Sequence, residues 1–236
     1  MKKFFRTSLS VLLLLSGSAF ALDNIWDARY TFGPEFLSRD RISVGGGFYT
    51  NYQEDGYLPV NAQLAINDYL EIGGKLLFDT EDDLETVQTY VDFGAKYRIF
   101  EYSTIEADFL VGIGNHRGSA LVFSYAKLHP LSRIFSTLYE ARIGFLDRIV
   151  SDGGLATLAF GATPQFKFTD ALLAMIGIET SGSLGNITDD FMVDIVPRVQ
   201  VGILPYFHVS AELAIGILQE KNNDRIRTGI YGIIEF

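Results

Sequence analysis

The chain closes on Arg225-Ile-Arg-Thr-Gly-Ile-Tyr-Gly-Ile-Ile-Glu-Phe236, and this stretch decides how the rest is read. Ile226, Thr228, Ile230, Gly232, Ile234 and Phe236 alternate with Arg225, Arg227, Gly229, Tyr231, Ile233 and Glu235. Successive side chains of a β-strand point to opposite faces, so one face here is free of charge and the other carries two arginines and a glutamate. If Phe236 faces hydrocarbon, Arg225 and Arg227 face inward.

The same sorting holds upstream. Val91, Phe93, Ala95, Tyr97 and Ile99 oppose Asp92, Lys96 and Arg98, while Ile105, Ala107, Phe109, Val111 and Ile113 oppose Glu106 and Asp108. Phe191, Val193, Ile195, Val199, Val201 and Ile203 oppose Asp194, Arg198 and Gln200, and Phe207, Val209, Ala211, Leu213, Ile215 and Ile217 oppose His208 and Glu212. The pattern predicts an all-β chain with strands near 41–50, 57–66, 70–78, 88–99, 104–114, 117–126, 136–146, 155–168, 171–182, 191–203, 207–218 and 225–236. Twelve strands is an even count, with ten or fourteen as alternatives if 115–155 divides differently. Most have the roughly 9 to 11 residues that cross a bilayer at about 45°.

Between the strands two kinds of connection alternate. Asn67-Asp68-Tyr69, Phe100 to Ser103, Thr169-Asp170 and Leu204-Pro205-Tyr206 are short, and His129 to Ser132 is a fifth turn of that kind. Residues 51–56, 79–85, 147–154, 183–190 and 219–224 are longer and acidic. Short turns on one rim and long polar loops on the other is the asymmetry of an outer-membrane barrel.

At the other end, Lys2, Lys3 and Arg6 precede the apolar run Val11 to Leu15 and then Ala19-Phe20-Ala21, the layout of a secretory signal peptide over 1–21. That run is too short to cross a bilayer as a helix, and no later stretch is apolar for long enough. Cleavage after Ala21 removes three of the 19 basic residues and leaves 29 acids against 16. So acidic a body is a poor partner for nucleic acid. The absence of cysteine excludes disulfides, thiolate metal sites, a cysteine nucleophile and a lipid-modified cysteine. Residues 22–40, with the single Trp26, precede the first strand as a periplasmic or plug segment, and 41–236 form one barrel domain.

Alternation alone does not separate a membrane barrel from a soluble sandwich or a lipocalin-like barrel, which turns its apolar face inward. The secretory signal, the even strand count and the terminal aromatic favour the membrane. A closed barrel also leaves no unpaired backbone group facing lipid.

The segment Arg227-Thr-Gly-Ile-Tyr-Gly-Ile-Ile-Glu-Phe236 resembles the C-terminal assembly signal of Gram-negative outer-membrane β-barrel proteins, with Ile234 and Phe236 at its two apolar positions and a glycine displaced by one place, at Gly232. The resemblance specifies an architecture rather than one family. It implies an up-and-down antiparallel barrel in the cell outer membrane, inserted by the barrel-assembly machinery and surrounded by lipid and lipopolysaccharide.

In this register Glu71, Asp92, Glu106, Asp108, Glu140, Asp194, Glu212 and Glu235 point inward, with Lys75, Lys96, Arg98, Arg142, Arg198, Arg225, Arg227 and His208. Opposite signs fall on neighbouring strands, as with Lys96 and Glu106 or Glu212 and the arginines 225 and 227, so a paired interior network is expected. Such a network either fills and stiffens the barrel or lines a narrow polar pore. Twelve strands lie between the filled eight-stranded barrels and the water-filled porins, so size leaves both open.

Nothing in the sequence asks for catalysis or a cofactor. His116 and Ser119 in Asn115-His-Arg-Gly-Ser119 weakly resemble the His/Ser pair of an outer-membrane lipase, yet the strand-borne pattern of that family is missing. The run Asp79 to Glu85 lacks the glycine and spacing of a calcium loop and reads as solvated acid, with cation bridging to lipopolysaccharide phosphates as a looser alternative. The expected function is a narrow channel or solute-uptake protein with a charge-lined lumen. The alternatives are a non-conducting structural or adhesive surface barrel and, further off, a membrane-embedded hydrolase.

Overall fold

The computed structural model describes residues 41–51, 56–80, 87–113, 119–146, 156–184, 191–219 and 226–236. The expected leader over 1–21, the 22–40 segment, His116, Arg225 and most of the long acidic connections lie outside these residues. Twelve strands make up the fold: β1 (Ile42–Asn51), β2 (Gly56–Ala65), β3 (Leu70–Thr80), β4 (Val87–Phe100), β5 (Ser103–Ile113), β6 (Ser119–Pro130), β7 (Phe135–Leu146), β8 (Ala156–Thr169), β9 (Leu172–Leu184), β10 (Met192–Leu204), β11 (Phe207–Gln219) and β12 (Ile226–Glu235). Each pairs antiparallel with its neighbours in sequence, and β1 pairs with β12 to close the ring. The closing register runs from Ser43 opposite Glu235 to Asn51 opposite Arg227. The Phe236 amide donates to the Ile42 carbonyl at 2.8 Å, so pairing continues past the last residue of β12.

Closure satisfies every strand edge, which an open sheet cannot do in an apolar solvent. The two faces of the wall have opposite characters. Phe93 is 63% exposed, Ile230 62% and Ile176 53%, whereas Lys96 is 2% exposed and Glu71 is fully buried. A water-soluble barrel does the reverse. Charges inside and bare aliphatic and aromatic side chains outside match a wall whose surroundings are hydrocarbon.

All five short turns gather at one rim, together with Arg41 and Phe236. Two of them use the same local chemistry. The Asn67 side-chain oxygen accepts from the amides of Tyr69 and Leu70 at 2.8 and 2.9 Å, and the Ser132 hydroxyl accepts from those of Ile134 and Phe135 at 3.3 and 3.0 Å. A short polar side chain that bonds its own backbone two or three residues on reverses the chain at that point. For this reason the β6–β7 turn falls at Leu131–Ile134, two residues later than expected: His129 and Pro130 still belong to the ladder, opposite Thr137 and Ser136.

Three register shifts lie close to this rim, between Arg98 and Phe100, Lys167 and Thr169, and Gly202 and Leu204. Each is at the turn-proximal end of an even-numbered strand. A bulge there adds local twist and bends the strand end. A fourth shift, between Val193 and Asp194, lies toward the opposite rim.

Candidate functional site

The inward faces divide the barrel into layers. Nearest the short-turn rim is a cavity of about 540 Å³. Amides and hydroxyls of Ser43, Asn61, Gln63, Thr163, Gln165, Gln200 and Ser210 line it together with apolar side chains such as Leu128, Leu138, Leu172 and Met175. Turn residues Ser132 and Arg133 stand at its mouth with Asp170, and His208 and Glu235 also line it. Lys96, Arg198 and Glu212 contribute to the same cavity from farther along their strands.

Beyond the cavity lie two ion-paired groups. In the first, Lys96 on β4 stands in register with Glu71 on β3 and Glu106 on β5. Its ammonium is 2.8 Å from the Glu71 carboxylate, and Lys75 and Asp92, four residues farther along the same two strands, approach to 3.9 Å. In the second, Arg198 on β10 donates its Nε to Glu212 of β11 and its Nη2 to Glu179 of β9, both at 2.7 Å. Arg227 on β12 reaches the other Glu212 oxygen at 3.9 Å. Charge-assisted bonds to both neighbours hold the Arg198 guanidinium against the wall instead of across the lumen. Arg142 and Glu140 pair along β7 at 3.4 Å.

Every charged lumen candidate among the described residues lies on the inward side of its strand. Glu71, Lys75, Asp92, Lys96, Glu106, Asp108, Glu140, Arg142 and Arg198 are buried, while Arg98, Asp194, His208, Glu212, Arg227 and Glu235 are half-buried. Glu179 joins them without having been anticipated. It stands alone as a charge on β9, and its only signal is its parity with Gly177, Ser181 and Ser183 between the outward Ile176, Ile178 and Thr180. The expected approach of Lys96 to Glu106 is accompanied by a direct ion pair on the other side, with Glu71. Ser119, half of the weak catalytic pair, opens β6.

Toward the rim of the long connections the inside of the wall mixes apolar and charged residues: Leu110 lies in register with Asp92, Val122 with Asp108 and Ala159 with Arg142. Leu110 is 1% exposed, and Val122, Ala159 and Val196 are fully buried, as is most of Ala214. Among the described residues no group of three or more histidines, cysteines or carboxylates is arranged to hold a metal ion.

Along the closing seam, aromatic side chains lie flat over glycines. The Tyr231 hydroxyl of β12 donates to Asn61 of β2, passing over β1 at Gly45, where a Cβ would collide with both groups. Gly229 leaves the same kind of room for the Tyr49 ring. Only glycine permits such close approach.

No protein-family model matches the chain, and no curated protein does. Solved structures do match. The KdgM porin in complex with disordered oligogalacturonate superposes with a TM-score of 0.61 at 10% identity, covering 82% of this chain and 99% of that one. An outer membrane channel from Pseudomonas putida F1 gives 0.61 at 11% identity, over 86% and 97% of the two chains. LpxR from Salmonella typhimurium gives 0.54 at 9% identity, over 83% and 99%. At these identities the likeness is one of fold: the chain has the architecture of outer-membrane β-barrels.

Proposed function

We propose that this protein is a narrow channel or solute-uptake barrel of the cell outer membrane, delivered by the predicted leader and inserted by the barrel-assembly machinery, with lipid and lipopolysaccharide around it. The observation that carries this reading is the cavity at the short-turn rim. The amides and hydroxyls set among its apolar lining are not needed in a barrel built only to be stiff, and they can replace the hydration of a small polar solute. The porin and the channel among the similar structures favour the same reading. The lumen charges are held in place by their partners, which suits a fixed lining and not a nucleophile or base, and we assign the protein no catalytic role.

Reconstitution of the purified protein in planar lipid bilayers tests this directly. Discrete conductance steps are expected, and inserted protein that never conducts rejects the reading. The buried inward Val122, Ala159 and Val196, packed among the charged side chains, favour a second reading, a barrel filled by its own side chains that acts as a structural or adhesive surface protein. In that case no steps appear, and shaving the long connections from intact cells abolishes partner binding without changing permeability.

A further inference from the structure

The two ion-paired groups are not placed at random around the wall. Strands β4 and β10 are six apart in a ring of twelve, so Lys96 and Arg198 face the same cavity from opposite sides. The sequence around them recurs. Gln165, Asp170, Asp194 and Arg198 each follow Gln63, Asp68, Asp92 and Lys96 by 102 residues, half a turn of the barrel later. Both halves thus carry an amide beside the mouth, an aspartate in the turn and a base in the middle of the lumen. Each base is flanked by glutamates on the strands to either side, Glu71 and Glu106 in one half, Glu179 and Glu212 in the other.

What this arrangement offers to a solute follows from its charge. Lys96 and Arg198 each have a carboxylate oxygen within 2.8 Å, and at the mouth Lys167 is likewise paired with Asp170 at 2.8 Å. A cation already satisfied by a carboxylate has little attraction left for a passing anion. At the level of Lys96 and Arg198 four glutamates, Glu71, Glu106, Glu179 and Glu212, face these two bases and Arg227, so carboxylates are in excess by one. A low-dielectric wall concentrates the field of that excess in the lumen.

We infer that the lumen selects cations, small inorganic or organic, with selection set at the level of Lys96 and Arg198 by the carboxylates that flank them. This rests on the channel reading and adds the class of solute.

The test is the reversal potential of the full chain in a planar bilayer under a KCl gradient. The sign is expected to be that of a cation-selective pore, with a potassium-to-chloride permeability ratio above about 3. The double variant Glu106→Gln, Glu212→Gln is expected to lower the ratio at least about twofold. Should that variant fail to give a heat-modifiable folded band, Gln200→Lys decides, because it adds a positive charge to the cavity without removing an ion pair and should lower the ratio in the same way. An anion-signed potential in the parent protein, or a ratio unmoved in the folded variants, overturns the inference. A complete lack of conductance instead rejects the channel itself.

Discussion

Tyr231 and Asn61 touch across a strand that belongs to neither of them: β12 and β2 are joined over β1, at the place where Gly45 has no side chain. The contact exists only when first and last strands have met, so it reports closure of the ring. Gly45→Val is therefore expected to push the tyrosine off its partner and weaken the seam, at the usual overpacking cost of about 1 to 3 kcal/mol. The temperature at which the compact, fast-migrating gel band gives way to the unfolded one should drop, whereas the outward Gly46→Ala, with 3.4 Å to its nearest neighbour, should change it far less.

Lys96 and Glu71 are both at least 98% buried. Removing one partner strands the other's charge, so Lys96→Met is expected to cost about 3 to 5 kcal/mol, while Lys96→Met with Glu71→Leu should recover most of it. Urea unfolding in lipid vesicles, monitored by tryptophan and tyrosine fluorescence, measures the difference. Equal losses in the single and double variants would mean that the pair is not a unit.

The outward face can be probed one position at a time. Phe93→Arg places a charge where the wall meets the middle of its surroundings, and in a bilayer this costs about 2 to 4 kcal/mol. In water the same change would be nearly neutral for a side chain so exposed. Folding yield into vesicles compared with that of Thr89→Arg, on the same face nearer the rim, checks both the facing and the depth.

Phe236 lies outward, 71% exposed, and its amide is still bonded to the Ile42 carbonyl. Its ring therefore adds little packing within the barrel, and Phe236→Ala should leave the stability of the refolded protein nearly unchanged. Assembly in cells should suffer if the terminal aromatic is read as a signal. The amount of folded protein in outer-membrane fractions, set against in vitro stability, separates the two roles.

Asp170, in the β8–β9 turn, has its carboxyl held below the ordinary aspartate range by its bond to the Lys167 ammonium. A pKa depressed in the folded state contributes stability above the unfolded value and loses it as pH falls through the folded one. Both groups are solvent-exposed, so the contribution is small and screened by salt. The unfolding difference between Lys167→Ala and the parent should be present near neutral pH and vanish in acid, once the Asp170 carboxyl is protonated in the folded protein as well.

Much of this architecture is written in local alternation, because a strand in a two-faced wall obeys a period of two wherever one face meets a single solvent. The ends of strands are written less plainly: the β6–β7 turn waits for Ser132, since neither His129 nor Pro130 supplies the side-chain acceptor that reverses the backbone. Facing was readable for Asp92, Lys96 or Arg198 because each interrupts an apolar series. Glu179 escaped because the small residues around it, Gly177 and Ser181, do not mark the inner side strongly. Pairing was readable only in part. Each strand has two neighbours and a long side chain reaches either, so Lys96 had two carboxylates available in register, and only the assembled wall shows the bond to Glu71.

The inside of the wall changes along its length: the cavity lies beside the short turns, and the aspartates 92, 108 and 194 lie beyond Lys96 and Arg198, toward the long connections. An ion entering from the two sides crosses these zones in opposite order. Current should then differ between positive and negative voltages of equal size, and this rectification would reveal which way a single inserted molecule points.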